Sequence, residues 1–430
     1  MEYIGQRPKQ ETIAAFRDHV SSGKAAFFAQ YGMDFVPGRR QGVYLWDVGG
    51  EKSLINCHCN GGVFNLGHSH PLIVDTLKRA AGELDIGNHH LLSEQRAALA
   101  VRLADLAPGE LPYTVFAVGG GEAIDLALKL ARAHTQRPKI LSARGGYHGH
   151  TGLALAAGDA QYRDPFGPMP PGFHQVPFAD LEALAAQIDG ETAAVILETI
   201  PATLGMPIAP PDYFSGVRAL CNQHGAQLIV DEVQTGLGRT GKMWAIEHWM
   251  ATGTGGPAPE PDILVTGKGL SGGIYPIAAT CYAAHLNPFM HDHPFIHIST
   301  FGGAELGCAV ALAVLDLSAE PNFVRHVREL AGQLASGFDQ LQGRYPETLV
   351  EVRQLGLMCA LVFPDEICGP MMTKLLFDEG VLAIYANNDP RALQFLPPLI
   401  MSNLEAEEVL GSLDRALANL SRMRGWRIAH

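Results

Sequence analysis

The stretch QLIVDEVQTGLGRTGKMWAIEHWMATGTGGPAPEPDILVTGKGLSGG, residues 227–273, contains two short apolar runs, 227–230 and 263–266. Each has the length and β-branched content of a buried parallel strand. The first run ends in Asp231 and the second in Gly267-Lys268. Ligands of open α/β sheets sit beyond the carboxyl ends of the strands, so an acid and a lysine at two such ends face one site. The segment GLGRTGKM, 236–243, comes close to the phosphate-binding loop of nucleotide hydrolases. Met243 stands where magnesium needs a hydroxyl, and the run follows the acid rather than a strand, so that alternative fails.

A chain of 430 residues exceeds one small core, and its length suggests two or three domains. Hydrophobic content of 47% with 17% charged residues is that of a well-packed globular enzyme. The net charge of −13 argues against nucleic-acid or anionic-membrane partners. The polar start MEYIGQRPKQ lacks a signal-peptide core, and no stretch approaches the ~18 apolar residues of a membrane helix, so a cytoplasmic protein is expected. Seven scattered cysteines fit reduced thiols. Cys57-His58-Cys59 puts its groups on alternate faces if extended and has no second pair at finger spacing, so no metal site is expected. His89, His90, His291, His293 and His297 read as loop or core histidines.

Outside the opening stretch, strands and helices alternate, which predicts a parallel sheet. Residues 113–118 read as a strand, followed by Gly119-Gly120-Gly121 and a helix over 122–132. Glycines between a strand and a helix start let amide hydrogens converge on an anion, aided by the helix dipole. A dinucleotide fingerprint fails there, because Ile124 stands where the third glycine belongs. A short strand at 139–141 precedes the glycine-rich run Gly145 to Thr151, and a buried strand at 193–198 ends in Glu198. Pro210-Pro211-Asp212 opens a helix to Gln223, with Asp212 or a neighbour as its cap. Residues 42–49 read as a hairpin, and 252–261 as a surface loop.

A carboxylate and a primary amine at strand ends suit pyridoxal 5′-phosphate. The amine forms a Schiff base with the aldehyde, and the acid keeps the pyridine nitrogen protonated. With Asp231-Glu232-Val233-Gln234-Thr235-Gly236 followed by Gly267-Lys268-Gly269, the chain resembles the class-III aminotransferases, pyridoxal-phosphate enzymes of fold type I. The resemblance covers nearly the whole chain. It implies an α/β fold: a large domain with a mostly parallel sheet covered by helices at 66–305, and a smaller α+β domain built from both chain ends, 1–65 and 306–430. It implies Lys268 as the Schiff-base lysine and proton carrier, and Asp231 as partner of the pyridinium. Gly120 and Gly121 then cradle the phosphate, Tyr147 stacks on the ring, Val233 packs on its other face and Gln234 bonds the ring hydroxyl. Relatives carry Ser-Gly-Ala or Ser-Gly-Ser where this chain has three glycines, which lose a hydroxyl but keep the amides. Glu198 takes the place of an acid near the site. The segment 60–71 either leaves room along that site or is a glycine-rich turn before a helix started by Pro71. Thr300 matches a residue that reaches the cofactor phosphate of the neighbouring subunit, which implies a homodimer or a dimer of dimers.

The implied activity moves an amino group from an amine or amino-acid donor to a keto acid or aldehyde by a ping-pong mechanism. The alternatives on the same fold are a racemase or epimerase and a lyase, and a cofactor-free binding protein is the rival outside enzymes. Relatives that use 2-oxoglutarate hold it with an arginine before Pro-Pro, a glutamate that parks this arginine, and an arginine beside the stacking aromatic. Gln394, Thr203 and His150 stand at those places. The first two losses agree, because a glutamate without its arginine would be an unpaired buried charge. A neutral glutamine does not reproduce a bidentate arginine–carboxylate contact. Arg391 points to the opposite strand face from Gln394, which leaves Arg39 or Arg40 as carboxylate contacts. The expected acceptor is smaller, such as pyruvate, or a substrate whose polar end is not a carboxylate.

Overall fold

A computed structural model describes residues 7–88, 90–250 and 256–429, with side chains through residue 423. His89 and residues 252–255 of the expected surface loop therefore lie outside the described residues. The two apolar runs form neighbouring parallel strands, Gln227–Asp231 and Ile263–Thr266, buried along their whole length. Their sheet runs Tyr113–Ala117, Ala278–Tyr282, Ile263–Thr266, Gln227–Asp231, Thr192–Glu198, Lys139–Ala143, Phe173–Val176. Ala278–Tyr282 is antiparallel to both its neighbours, whereas the other pairings are parallel. The physical reason is the connection. A parallel return needs a crossover of a dozen or more residues, and here only a tight turn at Lys268–Ser271 and a short loop intervene.

Alternate residues of the central strands feed two cores, as the two-residue period of a strand requires. Ile196, Ile229 and Val265 pack with Ile124, Leu128 and Ala131 of the helix Gly120–Thr135. Leu197, Leu228, Val230 and Leu264 pack with Phe214 and Val217 of the helix Tyr213–His224 and with Trp244. Each such fully buried side chain contributes about 1.5–3 kcal/mol. Asp212 occupies the cap position of the second helix, as expected, and its side chain makes no capping bond.

A further core joins Val43, Ile55 and Cys57 to Phe338, Leu361, Phe395 and Leu413. Ser53–Asn56 pairs in parallel with Val381–Leu382, so residues from both ends of the chain share one sheet. The strands Met358–Val362 and Asp389–Phe395 divide their faces. Cys359, Leu361 and Leu393 enter this core, and Met358, Ala360 and Ala392 enter the core of the large sheet. The helix Glu305–Ala319 buries Cys308, Val310 and Val314 beside Ile73 and Leu99, also in that larger core. Arg239 pins the halves together from the loop after Asp231. Fully buried, it donates to the carbonyls of Leu357 (3.1 Å) and Pro397 (2.5 Å) and to Asn65 Oδ1 (2.6 Å). Among the described residues no single helix is long and apolar enough to cross a membrane.

Candidate active site

Asp231 ends its strand 5% exposed, with both oxygens engaged. Oδ1 accepts the Val233 N–H at 3.0 Å, and Oδ2 lies 2.8 Å from His148 Nδ1. A carboxylate only accepts, which puts a proton on Nδ1. Burial opposes charging of His148, but the hydrogen bond and charge of Asp231 outweigh it, and its pKa lies above the usual imidazole value. The remaining nitrogen, Nε2, is buried without a partner.

Lys268 follows the next strand and sits in the left-handed region, φ +43°. For a lysine that conformation costs about 1–2 kcal/mol, held by the tight turn around it. Its Nζ donates to Gln234 Oε1 at 2.5 Å. Burial pushes its pKa down, only partly countered by Asp231 and Glu198. A larger neutral fraction makes the amine a better nucleophile. Gln234 is left with Nε2 buried and unpartnered, a donor in need of an acceptor.

Tyr147, Val233, Gly120 and Gly121 line the same cavity as Asp231, Gln234 and Lys268. Its volume of about 140 Å³ is close to that of a cavity that accepts a benzene ring. The helix Gly120–Thr135 points its free amides at this space. Side chains are crowded there: a Cβ on Gly120 would stand 3.1 Å from Val233 Cγ1, and one on Gly121 2.9 Å from Thr151 Oγ1. Tyr147 donates its backbone N–H to Glu198 Oε1 at 2.7 Å, and its ring lies 5.2 Å from that of His150. Glu232, one residue after Asp231, braces the turn. It accepts from Thr199 Oγ1 (2.8 Å), Thr235 Oγ1 (2.5 Å) and the Ile246 N–H (2.8 Å), and burial pushes its pKa up to about 7.

The remaining expected positions fall at the rim or outside. His150 is exposed beside Tyr147. Thr203 donates its hydroxyl to the Gly145 carbonyl at 3.0 Å, a carbonyl that also accepts from Asn388 Nδ2 at 2.8 Å. Gln394 is buried on the strand face of Ala392. Arg391, on the other face, pairs with Asp389 at 2.9 Å. Arg40 bonds the carbonyls of Pro37 and Gly38, and the Arg39 guanidinium lies 4.7 Å from the Trp46 ring centroid. Thr300 is exposed and does not line the cavity of its own chain. Lys268 is the one lysine or arginine among the described residues lining the cavity.

Two residues carried no separate signal in the sequence. His148 pairs with an acid 83 positions away, which no local pattern reveals. Gly61 lies against the lysine, where a Cβ would be 3.2 Å from Lys268 Nζ, and Pro71 opens the helix Pro71–Glu83, so the segment 60–71 meets both readings. A carboxylate for a ring nitrogen, an amine, an unpaired amide donor and an amide cradle in a ring-sized cavity fit pyridoxal 5′-phosphate.

The family model described as "Aminotransferase class-III" matches residues 28–417. An uncharacterized aminotransferase of Archaeoglobus fulgidus is 54% identical over 424 residues, 99% of this chain and 98% of that relative. The ornithine aminotransferase of Toxoplasma gondii, solved with pyridoxal phosphate partially occupying its active site, is 26% identical with a TM-score of 0.87, covering 97% of this chain and 96% of that one. A thermostable (S)-enantioselective omega-transaminase from Thermomicrobium roseum is 26% identical with a TM-score of 0.86, covering 96% and 99%. The family model covers far more than half of the chain and the Archaeoglobus fulgidus relative is matched over nearly its whole length, and the protein belongs to the class-III aminotransferases.

Proposed function

We propose that this aminotransferase binds pyridoxal 5′-phosphate in the Asp231–Lys268 cavity and passes an amino group from an amine or amino acid to a keto acid or aldehyde in two half-reactions. The observation that carries this is one cavity holding a buried amine of lowered pKa and a buried carboxylate at neighbouring strand ends. When bound, the cofactor supplies an aldehyde that condenses with amines and a protonated ring that draws electrons from the adjacent C–H bond. Lys268 would hold the cofactor through its aldehyde, and its free amine would take the proton from the substrate carbon as general base and deliver it to the cofactor carbon as general acid. Asp231 holds the proton at the ring nitrogen, and His148 Nδ1–H fixes the carboxylate that does so. Gln234 Nε2 donates to the ring hydroxyl, and Tyr147 and Val233 set the plane of the ring. The backbone amides of Gly120 and Gly121 take the phosphate.

For the substrate, we infer an acceptor not held by an arginine switch. Thr203 has its hydroxyl proton committed to Gly145, Gln394 is neutral, and Arg391 is paired with Asp389 on the other strand face. Pyruvate, or a substrate ending in a neutral polar group, suits such a wall. We also propose a homodimer. Phe295, Ile296, Ile298 and Phe301, close to Thr300 along the chain, are all exposed, and a second copy would cover them. An absorbance scan of the purified protein tests the cofactor, since a lysine-bound aldehyde colours it. Borohydride reduction and peptide mapping then test its attachment to Lys268, and label on Lys242 instead refutes the assignment. A donor panel with and without keto acid separates transamination from racemisation, because a transaminase alone accumulates the aminated cofactor with donor only.

A further inference from the structure

Glu198 is a buried carboxylate that the half-reactions do not use. It stands opposite Asp231 in the register of the two parallel strands, is 7% exposed and lines the same cavity. The loop beneath Tyr147 is shaped around it. Its Oε1 accepts the Tyr147 N–H, and a Cβ on Gly146 would lie 3.5 Å from the same oxygen. The titratable groups that face it are His148, Asp231, Lys268 and Tyr147. One imidazolium balances only one of two neighbouring carboxylates. With both acids ionised, His148 balances one of them, and the other is left to Lys268, whose charge burial disfavours, or to a cationic guest.

We propose that Glu198 is a second anionic positioning residue, which acts alongside the Asp231–His148 pair to hold the protonated ring nitrogen of the cofactor. The proposal rests on the pyridoxal-phosphate assignment above. Desolvation is the main influence on Glu198; His148 opposes it and Asp231 adds to it, so its pKa rises to about 7. Its charge is therefore absent at about pH 6 and present at about pH 8.5. Charge and scaffold are separable in Glu198→Gln, because the amide oxygen still accepts the Tyr147 N–H while the charge is gone. A scaffold role alone leaves that variant with the same binding defect at every pH.

The experiment measures dissociation constants of pyridoxamine 5′-phosphate for the full chain and for Glu198→Gln, by quenching of protein fluorescence at these two pH values. This probe makes no bond to Lys268, and titration of its phosphate affects both proteins alike and cancels in their ratio. The variant is expected to bind as the unsubstituted chain does at about pH 6 and about tenfold more weakly at about pH 8.5, the equivalent of one unit in the pKa of the ring nitrogen. Thermal unfolding at both pH values verifies that the isosteric variant is folded. A ratio that does not change with pH overturns the role of Glu198 and leaves the cofactor assignment standing. Absence of binding by the unsubstituted chain overturns both.

Discussion

Gly61→Ala separates what the backbone needs at the active-site lysine from what the lysine needs. Gly61 has φ +66° and ψ +34°, and follows Asn60, also left-handed at φ 50°. Asparagine tolerates that region through local hydrogen bonding, but alanine there costs about 1–2 kcal/mol. The added Cβ would meet Lys268 Nζ at 3.2 Å, Gln234 Oε1 at 3.3 Å and Lys268 Cε at 3.5 Å. Those are the ends of flexible side chains, so they yield by a few tenths of an ångström and the fold survives. The amine, however, leaves its place. A misplacement of about 1 Å costs on the order of 100-fold in rate, and a smaller shift is expected to cost about tenfold in kcat/KM. Gly50→Ala is the control. It has φ +71° and nothing within 4 Å, so it carries the backbone cost alone. Chemical denaturation and steady-state kinetics on both variants complete the test. Unchanged turnover in Gly61→Ala, or an equal loss in Gly50→Ala, refutes the reasoning.

Lys268→Ala is expected to lose turnover by about 10²–10⁴-fold or more, the contribution of a positioned acid–base group, with native circular dichroism; residual activity within tenfold of the parent contradicts the role. Steady-state rates with 2-oxoglutarate and pyruvate at equal concentration are expected to favour pyruvate, and a clear preference for 2-oxoglutarate refutes the substrate proposal. Glu232 has a folded pKa raised from 4.5 to about 7. Its contribution to stability is therefore fully present below about pH 4.5 and lost as pH rises through about 7, with a limiting slope of about 1.4 kcal/mol per pH unit. Glu232→Gln is expected to flatten the fall of the unfolding midpoint across that window, and an unaltered slope excludes Glu232 as its source.

The apolar runs before Asp231 and Lys268 determined their strands without help from the rest of the chain. Buried parallel strands carry apolar residues on both faces, and that signature is local. The glycines between the Tyr113–Ala117 strand and its helix were equally legible, because a run of small residues between a strand and a helix start marks a turn that exposes its amides. The antiparallel placement of Ala278–Tyr282 was decided by the tight turn at Lys268, which a run of β-branched residues does not encode. Partners far apart in the chain were decided only in three dimensions. His148 reaches Asp231, Val381–Leu382 completes a sheet with Ser53–Asn56, and Arg239 finds acceptors on Asn65, Leu357 and Pro397. Sequence periodicity reports which face of an element is buried. It is silent on which distant residue stands across from that face, because the pairing is set by how whole elements pack, and that packing places a histidine and a second carboxylate beside the acid at the end of its strand.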